Sequence, residues 1–383
     1  MHAKTRSQIS GCVLPQAARM QQPDLFLHGI QRLALRAAQR QANSISNWCD
    51  WFPITFDDDS LIWRSIEQRF TTPFFADMLS HQPPEQRQFC RTPLANLPQL
   101  SATLAPSAFI FHTSRCGSTL LTQMLATLPQ CIAVSEAPII DVCLRAAPAT
   151  LSAAARLALL RYVILALGQR RQQESHCIIK LDCWHLPWLP LLRAAFPDTP
   201  CWFLYREPQA VLASHQRQRG PQMVPGIIFP AQLHDQVGGP LLPPGDLDGY
   251  CLQVLALLFQ TALAAGQAGQ PGQSDLQLMH YRQLPALLWQ HLLPQLGINP
   301  STEQQSAMQA RAGFHAKQQE NPFRGDPNTA SAGGHRLAGA PPGISAHLLQ
   351  TLVLPLYQQL EQLREQLREQ QRQSAATGHN ALP

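Results

Sequence analysis

Arg115, Cys116, Gly117, Ser118 and Thr119 come just after the apolar run Ala108-Phe-Ile-Phe-His112, and an amphipathic stretch follows them. An arginine, a glycine and two hydroxyls between a strand and a helix start suit a phosphate. Backbone N–H groups without helical partners, and the positive end of the helix dipole, converge on an anion there. The pattern is not the Walker A sequence, which ends in Gly-Lys-Ser/Thr. Here Gly117 is followed by Ser118 and Thr119, and the cation, Arg115, precedes the glycine. The loop predicts phosphate binding, but not of the usual ATP kind.

Two more apolar runs end in charge. Ile178-Ile-Lys-Leu-Asp182 carries Lys180, and Tyr205-Arg-Glu-Pro208 carries Arg206, with Ser214 two helical turns further on. A lysine within an apolar strand is costly unless paired, so Lys180 requires an anion: a ligand phosphate, or Asp182 if the strand continues. Glu136, in Val134-Ser-Glu-Ala-Pro138, ends another short extended piece, where it is a base or a helix-start carboxylate ahead of Pro138. His112 stands at the mouth of the first strand, as a substrate contact or a satisfied edge histidine. Trp184 and His185 line an acceptor pocket or pack in the core. Tyr281 ends the last strand near the site. Asp57, Asp58 and Asp59 read as a cap or a solvated turn rather than a metal site.

These side chains need a scaffold that brings strand ends together. From Ala108 the chain alternates short apolar strands (Ala108–His112, Ile132–Ser135, Cys177–Leu181, Cys201–Tyr205, Leu276–Tyr281) with helical stretches. That alternation predicts an α/β fold, a P-loop-like parallel β-sheet flanked by helices, with ligands at the carboxyl ends of the strands. Residues 1–105 form an aromatic-rich N-terminal extension, with a helix at 25–41 and a linker at 80–107. The α/β core spans 106–300, a loop covering the site spans 301–343, and a helix and tail span 344–383. In that tail Leu349, Val353, Leu356, Leu360, Leu363 and Leu367 make a heptad-like seam broken by Pro355. It packs on its own domain or forms a homodimer.

The charge balance, 29 Lys+Arg against 24 Asp+Glu, is mild and nearly all of the positive charge is arginine. Arginine suits bidentate recognition of phosphate or sulfate, and no dense basic run supports a nucleic-acid partner. The 10 cysteines show no zinc-like spacing and read as core residues in a reducing compartment. No signal peptide or membrane span is read, so the expected location is cytoplasmic, with no membrane partner.

Arg115-Cys-Gly-Ser-Thr-Leu-Leu121, together with Tyr205-Arg-Glu-Pro-x-x-Val-x-x-Ser214, resembles the paired nucleotide-binding signatures of the sulfotransferase superfamily, over about Ala108 to Leu296. The resemblance implies 3′-phosphoadenosine 5′-phosphosulfate (PAPS) as co-substrate, 3′,5′-adenosine bisphosphate as product, and no metal. It places Arg115, Cys116, Gly117, Ser118 and Thr119 on the phosphosulfate, and Arg206 and Ser214 on the 3′-phosphate, with Tyr281 nearby. The likeness is strongest to the branch of tyrosylprotein sulfotransferases and bacterial relatives. That branch has an arginine where Arg115 stands, a catalytic glutamate where Glu136 stands and a lysine where Lys180 stands. Its next 3′-phosphate arginine falls on Gln218, a departure for which Arg217 or Arg219 can substitute. The expected reaction moves a sulfuryl group to a hydroxyl or amine of a small acceptor, with Glu136 as base. Two alternatives stay open: a P-loop kinase or NTPase using Asp182 as its magnesium acid, and a non-catalytic nucleotide-binding module.

Overall fold

The computed structural model describes residues 37–57, 59–145, 151–270, 273–274, 276–314 and 343–379. The first sheet lies within the N-terminal extension. Its strands are β1 (Ala38–Arg40), β2 (Trp51–Asp57), β3 (Ser60–Ser65) and β4 (Gln88–Pro93), arranged β1-β4-β3-β2. Helix α1 (Phe75–His81) lies between β3 and β4. Two expectations change here. Of the helix expected at 25–41, residues 25–36 lie outside the described set, and Ala38–Arg40 pair as a parallel strand with β4. The expected linker at 80–107 contains β4, whose Phe89 and Cys90 are buried. Proline- and glutamine-rich flanks hid a strand whose apolar residues are few. Asp57 and Ser60 pair across the β2–β3 hairpin, and of the acidic run Asp57 ends β2 while Asp59 lies in the turn.

The second sheet is all parallel. It comprises β5 (Ala108–His112), β6 (Cys131–Ser135), β7 (His176–Lys180), β8 (Cys201–Tyr205) and β9 (Gln277–His280), in the order β9-β8-β5-β7-β6. Alternate side chains enter opposite layers, as the pleat requires. Phe109, Phe111, Ile179, Phe203 and Tyr205 face one core; Ala108, Ile110, Ile178, Trp202 and Leu204 face the other. Both faces are covered, which is why these strands read as unbroken apolar runs. The chain order of the flanking helices is α2 (Ser118–Ala126), α3 (Pro138–Arg145), α4 (Ala153–Leu167), α5 (Leu189–Ala195), α6 (Pro208–Arg217), α7 (Leu247–Gln267), α8 (Thr302–Ala312) and α9 (Leu354–His379). The larger core also takes in Trp51, Phe52, Trp63 and Phe70, so the N-terminal sheet shares it.

Helix α7 begins at an Asp246 cap that accepts from the Gly249 N–H at 2.8 Å. It is long and apolar enough to cross a membrane, but 72% of its apolar window is buried inside the protein. The seam in the tail docks on it: Leu349, Val353 and Leu360 are buried in the larger core, and Leu363 approaches Gly266. Pro355 does not break the helix. A single π turn over Leu349–Val353 precedes it. A second π turn, Leu288–Leu292, precedes Pro294.

Candidate active site

The loop from β5 to α2 turns sharply, with φ of 67° at Ser114, 52° at Arg115 and 84° at Gly117. Non-glycine residues rarely adopt this region, so the loop is held by its surroundings. His112 Nδ1 accepts from the Ser114 N–H at 3.0 Å, and Ser114 Oγ accepts from Gln222 Nε2 at 3.1 Å. Gly117 is the N-cap of α2, and no side chain caps that end. A Cβ on Gly117 would come within 2.8 Å of the Tyr281 ring. Ser118 and Thr119 open the helix and line the cavity. The Cys116 side chain does not: it is buried in the smaller core, with Sγ donating to Leu204 O at 3.1 Å.

Glu136 is a third non-glycine residue at positive φ, 53°, and its N–H donates to Lys180 O at 2.8 Å. This backbone bond joins the ends of β6 and β7 and brings the two side chains together. The Lys180 ammonium, fully buried, donates to Glu136 Oε1. Strand β7 stops at Lys180, so Asp182 does not lie beside the lysine in an extended strand. The anion Lys180 requires is therefore Glu136 and not Asp182. His112 completes the group, its Nε2 at 3.0 Å from Leu181 O and 3.4 Å from Glu136 Oε1. With Nδ1 accepting from a backbone N–H, the proton of this ring sits on Nε2. Burial, reinforced by the Lys180 charge, pushes His112 down to about 4. Burial alone would raise the Glu136 carboxyl, but the Lys180 charge, with His112, outweighs it and holds the group well below the carboxylate range.

On the other side of the loop, Arg206 follows β8 and lies over the Tyr281 ring, 4.3 Å from its centroid. It also donates to Arg115 O at 3.4 Å. Ser214, Gln218 and Arg219 line the same cavity, and Arg217 does not. Arg219 is held by Asp248 and donates to Leu247 O at 2.8 Å. Arg115 reaches across to Gln218, donating to its carbonyl at 2.6 Å.

Asp182 is the N-cap of the turn after β7, its backbone carbonyl accepting from the His185 N–H at 3.0 Å. Burial, then the neighbouring Glu136 and Asp141, raise this carboxyl well above its ordinary range. Asp141, His185 and Asp182 are a buried group of metal-ligand type. Both His185 nitrogens are engaged: Nδ1 accepts from the Asp182 N–H at 3.3 Å and Nε2 donates to Asp141 Oδ1 at 2.8 Å. Trp184 Nε1 donates to the same oxygen at 2.6 Å. The group braces the turn; Trp184 lines the cavity and His185 does not.

The resulting cavity, about 510 Å³, takes in Arg115, Gly117, Ser118, Thr119, Glu136, Arg206, Ser214 and Tyr281, while Lys180 reaches it through Glu136. Sequence reasoning missed Phe74, Ala76 and Asp77 at the start of α1, and Phe314 after α8. The Lys180 Nζ is 5.3 Å from the Phe74 ring centroid. The aromatic density before Phe75 was visible in the sequence, but nothing local tied it to a strand end thirty or more residues away.

No family model matches the chain, and no curated protein matches it in sequence. Among solved structures it is similar to the sulfotransferase domain from the curacin biosynthetic pathway, at 20% identity, over 70% of this chain and 99% of that one, with a TM-score of 0.38. It is similar to a sulfotransferase from Alicyclobacillus acidocaldarius at 14% identity, 68% and 96% coverage and a TM-score of 0.35. It is also similar to sulfotransferase STF1 from Mycobacterium tuberculosis at 12% identity, 57% and 75% coverage and a TM-score of 0.34.

Proposed function

We propose that the protein is a sulfotransferase that moves the sulfuryl group of PAPS to a hydroxyl or amine of a small acceptor, releasing 3′,5′-adenosine bisphosphate. One observation carries this reading: the uncapped phosphate loop, the Glu136–Lys180 pair and the Arg206–Ser214 pair, from four separate segments, share one cavity. Sulfuryl transfer asks little covalent work of a protein; like phosphoryl transfer it needs in-line positioning and charge stabilisation. The loop amides, Ser118 and Thr119 hold the 5′-phosphate, with Arg115 turning from the Gln218 carbonyl to the anion. Arg206 and Ser214 take the 3′-phosphate. Arg219, which lines the cavity, is better placed than Arg217 to replace the arginine missing at position 218.

Lys180 has two calls on its charge. Without donor it pairs with Glu136, which makes that carboxylate a weak base. Sulfuryl oxygens beside Lys180 draw the ammonium away and restore the basicity of Glu136. The acceptor oxygen or nitrogen then bonds to sulfur, the bond from sulfur to the 5′-phosphate oxygen breaks, and the acceptor proton goes to Glu136. A positioned base of this kind contributes roughly 10²–10⁴-fold. The phosphotransferase alternative has less support, because the loop lacks the Gly-Lys-Ser/Thr ending of a Walker A sequence, and burial beside Glu136 and Asp141 raises the carboxyl of Asp182, the acid it needs. Turnover of labelled PAPS against an acceptor panel tests the reading. Wild type consumes donor in the presence of at least one acceptor, and Glu136→Gln binds bisphosphate but consumes none. A Glu136→Gln variant with wild-type turnover would refute the role of this base.

A further inference from the structure

Helix α9 was legible in sequence only as a leucine seam. Its polar residues reach the back of the donor site. Strands β8 and β9 run in register, with Tyr205 beside His280. Side chains alternate beyond these positions. Arg206 and Tyr281 line the cavity, and on the opposite side Tyr205 and His280 lie under α9. The Tyr205 hydroxyl donates to Glu361, and Arg364 donates to the same carboxylate at 2.9 Å. The Tyr357 hydroxyl lies 3.1 Å from His280 Nε2. The three rings pack edge to face, with Tyr205 5.3 Å from His280 and 6.1 Å from Tyr357. Two residues on from Tyr205 and His280, Glu207 and Arg282 pair with each other.

The path from α9 to the cavity is short. His280 Nδ1 accepts from the Arg282 N–H at 3.2 Å, and Gln283 Oε1 accepts from the His280 N–H at 2.7 Å. This reciprocal cap fixes the turn that carries Tyr281. With Nδ1 accepting, the His280 proton is on Nε2 and is donated to the Tyr357 oxygen. Tyr281 in turn stacks under Arg206 and against Gly117. Tyr205 and His280 are 0% and 3% exposed, and the Tyr205 hydroxyl and His280 Nε2 find their partners on α9.

We propose that Tyr357 and Glu361 are positioning residues for the donor's 3′-phosphate, holding the paired ends of β8 and β9 so that Arg206 and Tyr281 present to it. This rests on the reading of Arg206 as the 3′-phosphate arginine. The test measures binding of 3′,5′-adenosine bisphosphate and of AMP, which lacks the 3′-phosphate, by calorimetry. The proteins are wild type, Tyr357→Phe, Glu361→Gln and, as a control on the exposed face of α9, Glu369→Gln. Wild type and the control prefer the bisphosphate. Tyr357→Phe and Glu361→Gln lose about tenfold in bisphosphate affinity, less than twofold in AMP affinity, and raise the donor KM with little change in kcat. In an Arg206→Gln background, Glu361→Gln adds no further loss. Equal losses for both nucleotides, or wild-type bisphosphate affinity with only a lowered melting temperature, overturn the proposal. A wild type with no preference for the bisphosphate refutes the Arg206 reading instead. Tyr357→Phe removes a single hydroxyl, so it reports even if Glu361→Gln folds poorly.

Discussion

The two halves of the cavity are built differently. The donor half is made by the ends of sheet strands and the first turn of a helix: β5 with α2, β8 with α6, and β9. Its side chains are fixed by register, by backbone turns at Ser114, Arg115 and Gly117, and by the brace of α9. The opposite half takes Phe74, Ala76 and Asp77 from the N-terminal extension, Trp184 from the turn after β7 and Phe314 from the end of α8. These come from segments distant in sequence, held by long-range bonds such as Gln123 Nε2 to Thr72 O at 2.9 Å and Arg311 Nη2 to Gln123 Oε1 at 3.2 Å. Glu136 and Lys180 stand between the halves. In the proposed reading, the half fixed by strand register takes the nucleotide and the half assembled from distant segments takes the acceptor.

Substitutions can break this division, and the largest effect falls at the junction. Glu136→Gln lowers kcat by roughly 10²–10⁴-fold with bisphosphate binding retained, read by single-turnover and equilibrium measurements. In the donor half, Gly117→Ala forces a Cβ against Tyr281 at a φ of 84°. Strain of about 1–3 kcal/mol appears as a ten- to hundredfold loss of bisphosphate affinity in calorimetry, with acceptor KM unchanged. In the opposite half, Phe74→Ala raises acceptor KM about tenfold and leaves bisphosphate affinity within a factor of two, read by steady-state kinetics. Equal damage to both substrates by either substitution would erase the distinction between the halves.

A pH dependence at the junction tests the same pair without substrate. His112 is neutral in the fold and titrates at about 4, against 6.5 when unfolded. Between those values the unfolded chain binds the extra proton, so stability from this group is full above pH 6.5 and is lost as pH falls toward 4. His112→Asn removes that dependence. Its cost in denaturant unfolding at pH 7 shrinks by about 3 kcal/mol by pH 4. A cost independent of pH would show that His112 is not held neutral beside Glu136 and Lys180.

The donor half was legible in the sequence because local signals define it. Apolar runs end at polar residues, Gly117 precedes a helix, and Pro208 opens another at its first turn. Boundaries of β5 and β8 follow from these runs to the residue. The partner of Lys180 was not legible. It depended on where β7 stops, and a two-residue extension would have placed Asp182 on the same face as Lys180. The four-stranded N-terminal sheet escaped for a related reason. Strand β1 carries Ala38-Gln-Arg40 and β4 carries Gln88-Phe-Cys-Arg-Thr-Pro93, and neither has the apolar alternation that announces a strand. The polar side of α9 was hidden beneath a correct hydrophobic period, since a seam of leucines says nothing about what Tyr357 and Glu361 meet.

The central claim is that the loop at Arg115–Thr119 serves a 3′-phosphorylated adenine nucleotide and not ATP. Thermal unfolding with 3′,5′-adenosine bisphosphate and with ATP–magnesium, each at one hundred times its dissociation constant or at the solubility limit, tests it most directly. Stabilisation of about 2.7 kcal/mol by the bisphosphate, with none from ATP–magnesium, is the result expected. Stabilisation by ATP–magnesium and none by the bisphosphate contradicts the account.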